Sequence, residues 1–325
     1  MKNIYLNIYR PNYINLKKVK KSIENNNVIG LPTETVYGLA GNAYSDKSVK
    51  KIFNLKRRPL FNPLIIHFKN LNDLKNDVIL NTNFRKLYDA FCPGPITFVL
   101  KKKKKSRISI IATAGKKTVA VRIPNHRVAR NLLDILKFPL AAPSANISSK
   151  LSPTSAKDVF EEFGNKIKFI LDGGQCKIGL ESTIVDLTGK PSILRPGSVT
   201  LEKIQKVLKK KVKIKKNTKK IKAPGQSKLH YSPGIPVKLN RKNAKKNQAL
   251  IGFGKKFKVG RNYFNLSKKG NLKEAANNLY KTMREVKKKK FKSIAVIKIP
   301  NKGIGYAIND RLKKASNKWI ISLLK

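Results

Sequence analysis

Short, strongly apolar segments recur along the chain, and their length limits what it can fold into. The clearest are VIGLPT, PLIIHF, ITFVLK, TVAVRIP, KFILDG and STIVDLT, which are rich in β-branched residues and bounded by glycine, proline or asparagine. Runs of this length and composition are typical of buried strands. Segments with helical spacing lie between them, so the sequence predicts an α/β fold.

The helical segments carry apolar stripes and start signals. Asp46 is predicted to cap a helix that has Val49 and Phe53 on its inner face. Ser155, followed three residues later by Asp158, predicts a capping box at the start of another helix. These helices alternate with the strands along the sequence.

A change of composition divides the chain. The stretch KKKVKIKKNTKKIKAPGQSKLHYSPGIP is rich in lysine, glycine and proline, which predicts a linker at 209–236 between a domain at 1–208 and another at 237–325. Beyond the linker, ALIGFG, YFNLS and SIAVIKIP read as strands, and helices are predicted from Leu272 and from Ile304. The second domain is therefore expected to be a smaller α/β unit.

Composition limits the classes of protein that the chain can belong to. Among 325 residues there are 73 lysines and arginines against 17 acidic residues, a formal net charge of +56. The lysines are spread over nearly every segment, so the charge fits either nucleic-acid binding or a general lysine bias. Two cysteines are too few to indicate a disulfide framework or a metal site. With no signal peptide and no apolar membrane span, we expect a cytoplasmic protein without membrane contact.

The stretch LKRRPLFNPLIIHF places cations at the end of a predicted helix. Lys56 and Arg58 precede prolines that end the helix and fix a turn. One interpretation is that these cations only complement the helix dipole, and the other is that they bind phosphate, with Asn62 adding an amide. His67, inside the following strand, is by itself more typical of a core residue than of a catalytic one.

Arg122 lies in the otherwise apolar segment TVAVRIPNH, where an unpaired charge costs several kcal/mol. An anionic group is therefore expected to meet it. A structural carboxylate is one candidate. Because the chain has only 17 acidic residues, a carboxylate or phosphate of a ligand is favoured.

Polar residues also follow other apolar segments. Ser144 and Ser152 lie in AAPSANISSKLSPTS, Ser182 lies in GLESTIVDL, and Arg195 lies in ILRPGS. Each is compatible with ordinary turn chemistry, but polar clusters at strand ends are where α/β proteins bind ligands. The sequence contains no glycine-rich phosphate loop, no dinucleotide fingerprint and no zinc-spaced Cys/His set. Bound phosphates would have to be held by scattered side chains.

The ordered motifs LPTETVYGLAGNA, KRRPLFNPLIIHF, CPGPITFVL, VAVRIPNH, PLAAPSANIS and GLESTIVDL…ILRPG resemble those of the YrdC family. The linker motif APGQSKLHYSP and the segment after it resemble the two-domain, Sua-type members. The resemblance implies a YrdC-like twisted mixed-sheet domain, a linker that acts as a lid, and a smaller Rossmann-like α/β domain. Gly225 and Gly234 bracket QSKLHYSP and offer hinges for such a lid.

The resemblance also implies an activity. Members of this type convert L-threonine, bicarbonate and ATP to threonylcarbamoyl-AMP and pyrophosphate, and partner proteins transfer the threonylcarbamoyl group to tRNA to form threonylcarbamoyladenosine. Mg²⁺ is expected with the triphosphate. The implied threonine-binding residues are Thr35, His67, Arg122, Ala142 and Ser182. The implied ATP-binding residues are Lys56, Arg58, Asn62, Thr118, Ser144, Ser152, Arg195 and Tyr231, and of these Lys56 and Arg58 are expected to act catalytically on the leaving pyrophosphate.

Two alternatives stay open from the sequence. A related carbamoyl-adenylate-forming module occurs in hydrogenase maturation, but it normally carries paired cysteines of zinc-finger type, and this chain has two cysteines in all. The other is an RNA-binding module of YrdC-like fold without synthase activity, because the charge of +56 leaves room for a weak contact with RNA. The role of the second domain does not follow from the sequence.

Overall fold

The computed structural model describes residues 6–215, 222–226, 230–257 and 260–322, with the backbone only from residue 317, and these residues form two α/β domains. The strands of the larger domain are β1 (Ile8–Tyr9), β2 (Ile29–Leu31), β3 (Gly38–Asn42), β4 (Ile65–His67), β5 (Val78–Ile79), β6 (Ile96–Lys102), β7 (Thr118–Arg122), β8 (Leu140–Ala141), β9 (Ile170–Leu171), β10 (Thr183–Asp186), β11 (Ser192–Arg195) and β12 (Lys213–Ile214). Its α-helices are α1 (Tyr13–Glu24), α2 (Asp46–Lys56), α3 (Leu71–Asp77), α4 (Thr82–Phe91), α5 (Arg127–Ile135), α6 (Ala156–Phe163) and α7 (Leu201–Leu208).

The larger domain is built on one mixed sheet of twelve strands. Their order is β1-β9-β2-β3-β8-β4-β7-β6-β10-β11-β12, and β5 pairs with β6. Parallel pairs such as β4 with β7 and β6 with β10 stand beside antiparallel pairs such as β2 with β3 and β4 with β8. The β4–β7 register sets His67 directly opposite Arg122. The sheet therefore brings together two residues that are far apart in sequence, and the prediction of a mixed-sheet domain is confirmed.

Hydrophobic cores lie on both faces of this sheet. Leu39 and Ala141 belong to one core, whereas their neighbours Ala40 and Leu140 belong to another. Successive side chains of a strand point to opposite faces, so the two cores are separated by the sheet. The second core also contains residues of α1 and α5, and the first contains residues of α2, α4, α6 and α7.

The helix starts follow the expected capping chemistry with one correction. Ser155 and Asp158 form the predicted capping box of α6. The prediction that Asp46 caps α2 was wrong, because the cap is Ser45, whose hydroxyl accepts from the Ser48 amide at 3.2 Å. Asp46 is the first residue of that helix, where its negative charge complements the helix dipole.

The smaller domain is a Rossmann-like unit. Its strands are β13 (Val237–Lys238), β14 (Gln248–Gly252), β15 (Tyr263–Asn265) and β16 (Ser293–Val296), and its helices are α8 (Leu272–Lys288) and α9 (Gly305–Ser322). The strand order is β13-β16-β14-β15, and every pair is parallel. The predicted helices begin where expected, at Leu272 and one residue after Ile304.

The two domains are in close contact. Val36, Leu151 and Leu180 of the larger domain belong to the same hydrophobic cluster as the core of the smaller one. Gly179, at a φ of +75°, lies so close to α8 that a Cβ there would sit 2.6 Å from the Cα of Asn277. Because that Cβ would collide with helix backbone, glycine is required at this contact.

The linker was expected at 209–236. Within that range, β12 adds a short strand to the large sheet, and residues 222–226 and 230–236 are also described. The predicted lid segment falls partly on residues 216–221 and 227–229, which lie outside the described residues. The domain boundaries therefore stay a prediction. Cys92 and Cys176 are free thiols. No helix formed by the described residues has the length and apolar character needed to cross a membrane.

Phe84 of α4 provides a test of the main core. Its ring is fully buried and meets the ring of Phe98 edge to face at 5.0 Å. Phe84→Ala is expected to reduce the free energy of unfolding of the larger domain by about 3–5 kcal/mol, because it removes aromatic contacts and leaves a cavity. Urea unfolding followed by circular dichroism measures the change. The control Ile110→Ala, at an exposed side chain, should stay within about 0.5 kcal/mol of the parent; equal effects would contradict this packing.

Candidate active site

One small cavity, of about 30 Å³, brings together most of the predicted site residues. Its walls come from the loop after β2, from β4 and β7, from the segment after β8, from the residues at β10 and β11, and from the linker. The predicted residues that line it are Thr35, Arg58, His67, Arg122, Ala142, Ser144, Ser182, Arg195 and Tyr231. Surface grooves of about 480 to 580 Å³ occur elsewhere, but none of the predicted residues lines them. Convergence of residues, not size, identifies this cavity as the candidate site.

Arg58 reaches the cavity because the backbone reverses just before it. Helix α2 ends at Lys56, and Arg57 adopts a left-handed conformation with a φ of 48°, so Arg57 is exposed while Lys56 and Arg58 are buried. The Arg58 guanidinium donates to the Asn62 backbone oxygen at 2.9 Å, to Asn62 Oδ1 at 2.6 Å and to the Pro63 carbonyl at 2.8 Å. Complementing the helix dipole alone does not account for this burial.

The charge of Arg58 survives its burial. Burial, followed by the positive charge of Arg195, lowers the pKa of Arg58 to about 9. The guanidinium therefore stays cationic at neutral pH. A buried cation of this kind that faces a cavity is suited to bind an anionic group.

Lys56 is buried beside the cavity but does not line it. Its ammonium group donates to the backbone carbonyls of Ser144 and Asn146, each at 2.5 Å. Burial, followed by the charge of Arg58, lowers the pKa of Lys56 well below its ordinary value. In this geometry Lys56 fixes the loop that carries Ser144 to the cavity wall.

Three other predicted residues also lie outside the lining. Asn62 holds Arg58 as described, and the Ser152 hydroxyl donates to Glu181 Oε1 at 2.5 Å. Thr118 begins β7, four residues before Arg122, which corresponds to roughly 13 Å along a strand. Asn62 and Ser152 therefore support lining residues, whereas Thr118 lies farther along the same strand.

Arg122 has an anionic partner within the protein. Its Nη2 atom lies 2.7 Å from Glu34 Oε1, a buried ion pair whose angles are not those of a hydrogen bond. The guanidinium also donates to Thr35 Oγ1 at 2.9 Å and to the Gly94 carbonyl at 3.3 Å. Glu34 is the structural carboxylate that the sequence left as the less favoured candidate, and the scarcity of acidic residues did not prevent one of them from lying here. Binding of a ligand carboxylate by Arg122 stays a prediction.

His67 faces the cavity from β4. Its ring is 2% exposed, and neither ring nitrogen has a hydrogen-bond partner among the described residues. Burial, followed by the positive charge of Arg122 beside it, lowers the pKa of His67 well below its ordinary value. The imidazole is therefore neutral, with one nitrogen able to donate and the other able to accept a hydrogen bond. An ordinary core histidine would have its nitrogens satisfied.

Ser182 and Arg195 form a second polar wall. Arg195 Nε donates to the Ser182 carbonyl at 3.0 Å, and Nη2 donates to Ser182 Oγ at 3.1 Å. Ser182 Oγ also lies 2.7 Å from Thr97 Oγ1. Ser182 and Arg195 are both buried. Burial is the main reason that the pKa of Arg195 is lowered. Arg195 thus becomes the third arginine of the lining, with Arg58 and Arg122.

Glu181 also lines the cavity and is ionised. Its carboxylate accepts from Ser152, from the Tyr280 hydroxyl at 3.1 Å to each oxygen, and from Arg311 Nε at 2.9 Å. Burial alone raises the pKa of a carboxyl group, but the charges of Arg311 and Arg195 outweigh burial here and lower the pKa of Glu181 to about 2. This carboxylate is therefore committed to protein partners.

The linker covers one side of the cavity. His230 and Tyr231 both line it, and Tyr231 is 1% exposed at a φ of 63°, a left-handed conformation that tyrosine seldom adopts. Ala223 packs on the apolar sheet face formed by Ile65 and Ala120 among others. Gly225, at a φ of +81°, would place a Cβ 2.8 Å from Arg195 Cδ. The described parts of the linker therefore lie directly on the site.

Several residues of the site had no role predicted from the sequence. Glu34 and His230 lie inside the motifs LPTETVYGLAGNA and APGQSKLHYSP, so the motifs themselves contained the signal. Glu181 directly precedes Ser182 in the motif GLESTIVDL. Arg311 lies in α9, outside every motif, and no sequence signal points to it.

Two family models match the chain. The Sua5, YciO and YrdC model, described as Telomere recombination, matches residues 21–197, and the model described as Threonylcarbamoyl-AMP synthase, C-terminal domain, matches residues 199–317. The threonylcarbamoyl-AMP synthase of Pyrococcus abyssi is 39% identical over 323 residues, covering 93% of this chain and 94% of the relative. The protein of the same name from Bacillus subtilis is 34% identical over 321 residues, covering 92% of each.

Solved structures agree with these matches. The crystal structure of P. abyssi Sua5 complexed with L-threonine superposes with a TM-score of 0.87 at 35% identity, covering 95% of this chain and 96% of that one. E. coli YciO, at 20% identity and a TM-score of 0.52, covers 58% of this chain and shares the fold of the larger domain. The family predicted from the sequence motifs is confirmed, and the chain belongs to the threonylcarbamoyl-AMP synthase family, in the form that joins a YrdC-type domain to the family's own C-terminal domain.

Proposed function

We propose that the cavity makes threonylcarbamoyl-AMP from L-threonine, bicarbonate and ATP, with release of pyrophosphate. One observation carries this proposal: three buried arginines and a neutral histidine converge on a single cavity beneath the linker, and among the described residues the histidine ring has no hydrogen-bond partner. A polyanion and a small amino acid need these two kinds of group side by side. The relatives named threonylcarbamoyl-AMP synthase support the reaction, and Sua5 in complex with L-threonine supports the amino acid.

The nucleotide is proposed to bind between Arg58, Arg195 and Tyr231. The two guanidinium groups neutralise charge on the phosphates, most of all the charge that develops on the leaving pyrophosphate. Ser144 lies on the same wall. Lys56 and Asn62 act one step removed, because Lys56 fixes the Ser144 loop and Asn62 orients Arg58. Thr118 and Ser152 stay predictions as ATP-binding residues.

L-Threonine is proposed to bind near Thr35, His67 and Arg122, with Ala142 and Ser182 completing the wall. A neutral imidazole can accept a hydrogen bond from the amino or hydroxyl group of threonine without repelling it, which an imidazolium could not do. Arg122 is held by Glu34 and Thr35 in a fixed orientation. Its guanidinium edge at the cavity can still meet the substrate carboxylate.

The proposed chemistry needs little covalent participation by the protein. The threonine amine and bicarbonate form a carbamate and water, and a carbamate oxygen then attacks the α-phosphorus of ATP. The new P–O bond replaces the bond to pyrophosphate, which leaves with its electron pair. The cavity contributes by holding oxygen and phosphorus in line and by balancing charge. Closure by the linker keeps water away from the adenylate product, which hydrolyses easily.

Mg²⁺ was expected with the triphosphate. The described residues contain no group of three or more His, Cys, Asp or Glu side chains that could hold a metal ion, and Glu181 is committed to Arg311, Ser152 and Tyr280. Mg²⁺, bicarbonate, the tRNA-modifying transfer proteins and a weak contact with RNA stay predictions.

The reaction makes a test by substrate omission possible. Pyrophosphate release is expected only when L-threonine, bicarbonate and ATP are all present, because the nucleophile forms from the first two. A coupled phosphate assay with each substrate omitted in turn measures this dependence. A chain that binds RNA with an affinity falling steeply with salt, and that releases no pyrophosphate, would instead support the RNA-binding alternative.

Arg58 and Arg57 form a matched pair of cations for mutation. Arg58→Met is expected to lower kcat by about a hundredfold or more, because it removes a cation aimed at the leaving group. Arg57→Met removes the same charge from an exposed side chain one residue away and should stay within about twofold. Steady-state pyrophosphate release measures both variants. Equal losses would show that general charge, and not the cavity, matters.

The Arg122–Glu34 pair allows the structural and binding roles of Arg122 to be separated. Arg122→Met alone leaves Glu34 as a buried, unpaired charge and should destabilise the larger domain by about 3–5 kcal/mol. Arg122→Met combined with Glu34→Gln removes both charges and should recover most of that stability, measured by urea unfolding. Activity with L-threonine should stay absent in the folded double variant. Recovery of activity would show that Arg122 serves only the fold.

A further inference from the structure

The ring of Tyr231, in the linker, packs on residues of the smaller domain. The guanidinium carbon of Arg311, in α9, lies 5.0 Å from the centre of the Tyr231 ring, a cation–π contact. The ring of Tyr280, in α8, stacks on Tyr231 at 5.9 Å with an angle of 23° between the planes. Tyr231 is also part of the hydrophobic cluster that forms the core of the smaller domain. The ring of Tyr231 is therefore held by the smaller domain, whereas the backbone beside it is held by the larger one, because the Ser232 amide donates to the Ser149 carbonyl at 2.8 Å.

The same two residues hold Glu181 at the cavity wall. Arg311 Nε and the Tyr280 hydroxyl both donate to its carboxylate, and Arg311 Nη1 donates to the Pro196 carbonyl at 2.9 Å. Arg311 is 1% exposed, although it is a long charged side chain. A buried arginine is tolerated where its charge is paired, as the charge of Arg311 is here by Glu181 and by Asp310.

A third contact holds the other described segment of the linker, residues 222–226. Lys314, one turn after Arg311 in α9, donates to the Gly225 carbonyl at 2.8 Å. Gly225 lies against both Arg195 and the Tyr231 hydroxyl, since a Cβ there would be 2.8 and 2.9 Å from them. One face of α9 therefore reaches both described segments of the linker where they cover the cavity.

From these contacts we propose that Arg311, supported by Tyr280, is a positioning residue that holds Tyr231 over the nucleotide and Glu181 at the cavity wall. The smaller domain thereby holds the described linker residues in place over the cavity. This inference rests on the proposed function, because Tyr231 is taken to contact the nucleotide. Neither Arg311 nor Tyr280 is among the residues that line the cavity, and Glu181 is committed to protein partners, so their effect on ATP binding is transmitted through Tyr231.

The contacts predict a selective kinetic defect. Arg311→Met removes the cation from the Tyr231 ring and is expected to raise the KM for ATP by about tenfold or more, because the nucleotide loses a fixed wall. Arg311→Lys keeps a charge near Glu181 but cannot provide the planar contact with the Tyr231 ring, so its KM for ATP should also rise. This second variant keeps the test available if Arg311→Met does not fold.

Arg284→Met serves as the matched control. Arg284, in α8, also crosses between the domains, pairing with Asp158 at 3.3 Å and donating to the Leu151 carbonyl at 2.9 Å, but it does not touch the linker residues described. Its loss weakens domain contact without affecting Tyr231. Its KM for ATP should stay within about twofold of the parent.

A double-mutant cycle with Tyr231→Leu gives the decisive test. If Arg311 acts through Tyr231, adding Arg311→Met to Tyr231→Leu should raise the KM for ATP by less than about twofold further. If the two substitutions instead raise the KM for ATP independently, so that their effects multiply, the proposal is overturned. A normal KM for ATP in Arg311→Lys would also overturn it. Both outcomes leave the proposed function intact as long as the parent enzyme is active. A parent that releases no pyrophosphate with all three substrates would overturn the proposed function itself, and this inference with it.

Discussion

The site depends on placing three arginines, Arg58, Arg122 and Arg195, in a small buried cavity without letting their charge destabilise the fold. Each is compensated differently. Arg58 is surrounded by carbonyl and amide oxygens, Arg122 is paired with Glu34, and Arg195 lies against the Ser182 carbonyl with Glu181 close by. Because this compensation is built into the protein, the cavity keeps cationic walls even in a low-dielectric setting.

This arrangement explains how a nucleotide enzyme can lack a glycine-rich phosphate loop. Such a loop offers backbone amides on one continuous segment. Here the cations come from the end of α2, from β7 and from β11, and only the sheet brings them together. The site therefore depends on the whole fold of the larger domain. It depends also on the linker and on the smaller domain.

The sequence predicted much of this because its signals are local. Strand composition, the Ser155–Asp158 capping box and the prolines after Arg58 each act within a few residues. Motif resemblance then supplied the residues of the cavity. Pairings across long sequence separations were not predictable. Nothing in the sequence near Arg122 indicates that it will pair with Glu34. Likewise, nothing near Glu181 indicates that it will pair with Arg311, 130 residues away. The inward turn of Lys56 toward two carbonyls likewise depends on a loop that packs from elsewhere.

A crystal structure of the protein with L-threonine and a non-hydrolysable ATP analogue tests the central claim most directly. The account predicts phosphate oxygens within hydrogen-bonding distance of Arg58 and Arg195, threonine beside His67 and Arg122, and Tyr231 against the nucleotide. A nucleotide bound instead in a lysine-lined surface groove, with the cavity unchanged, would contradict it.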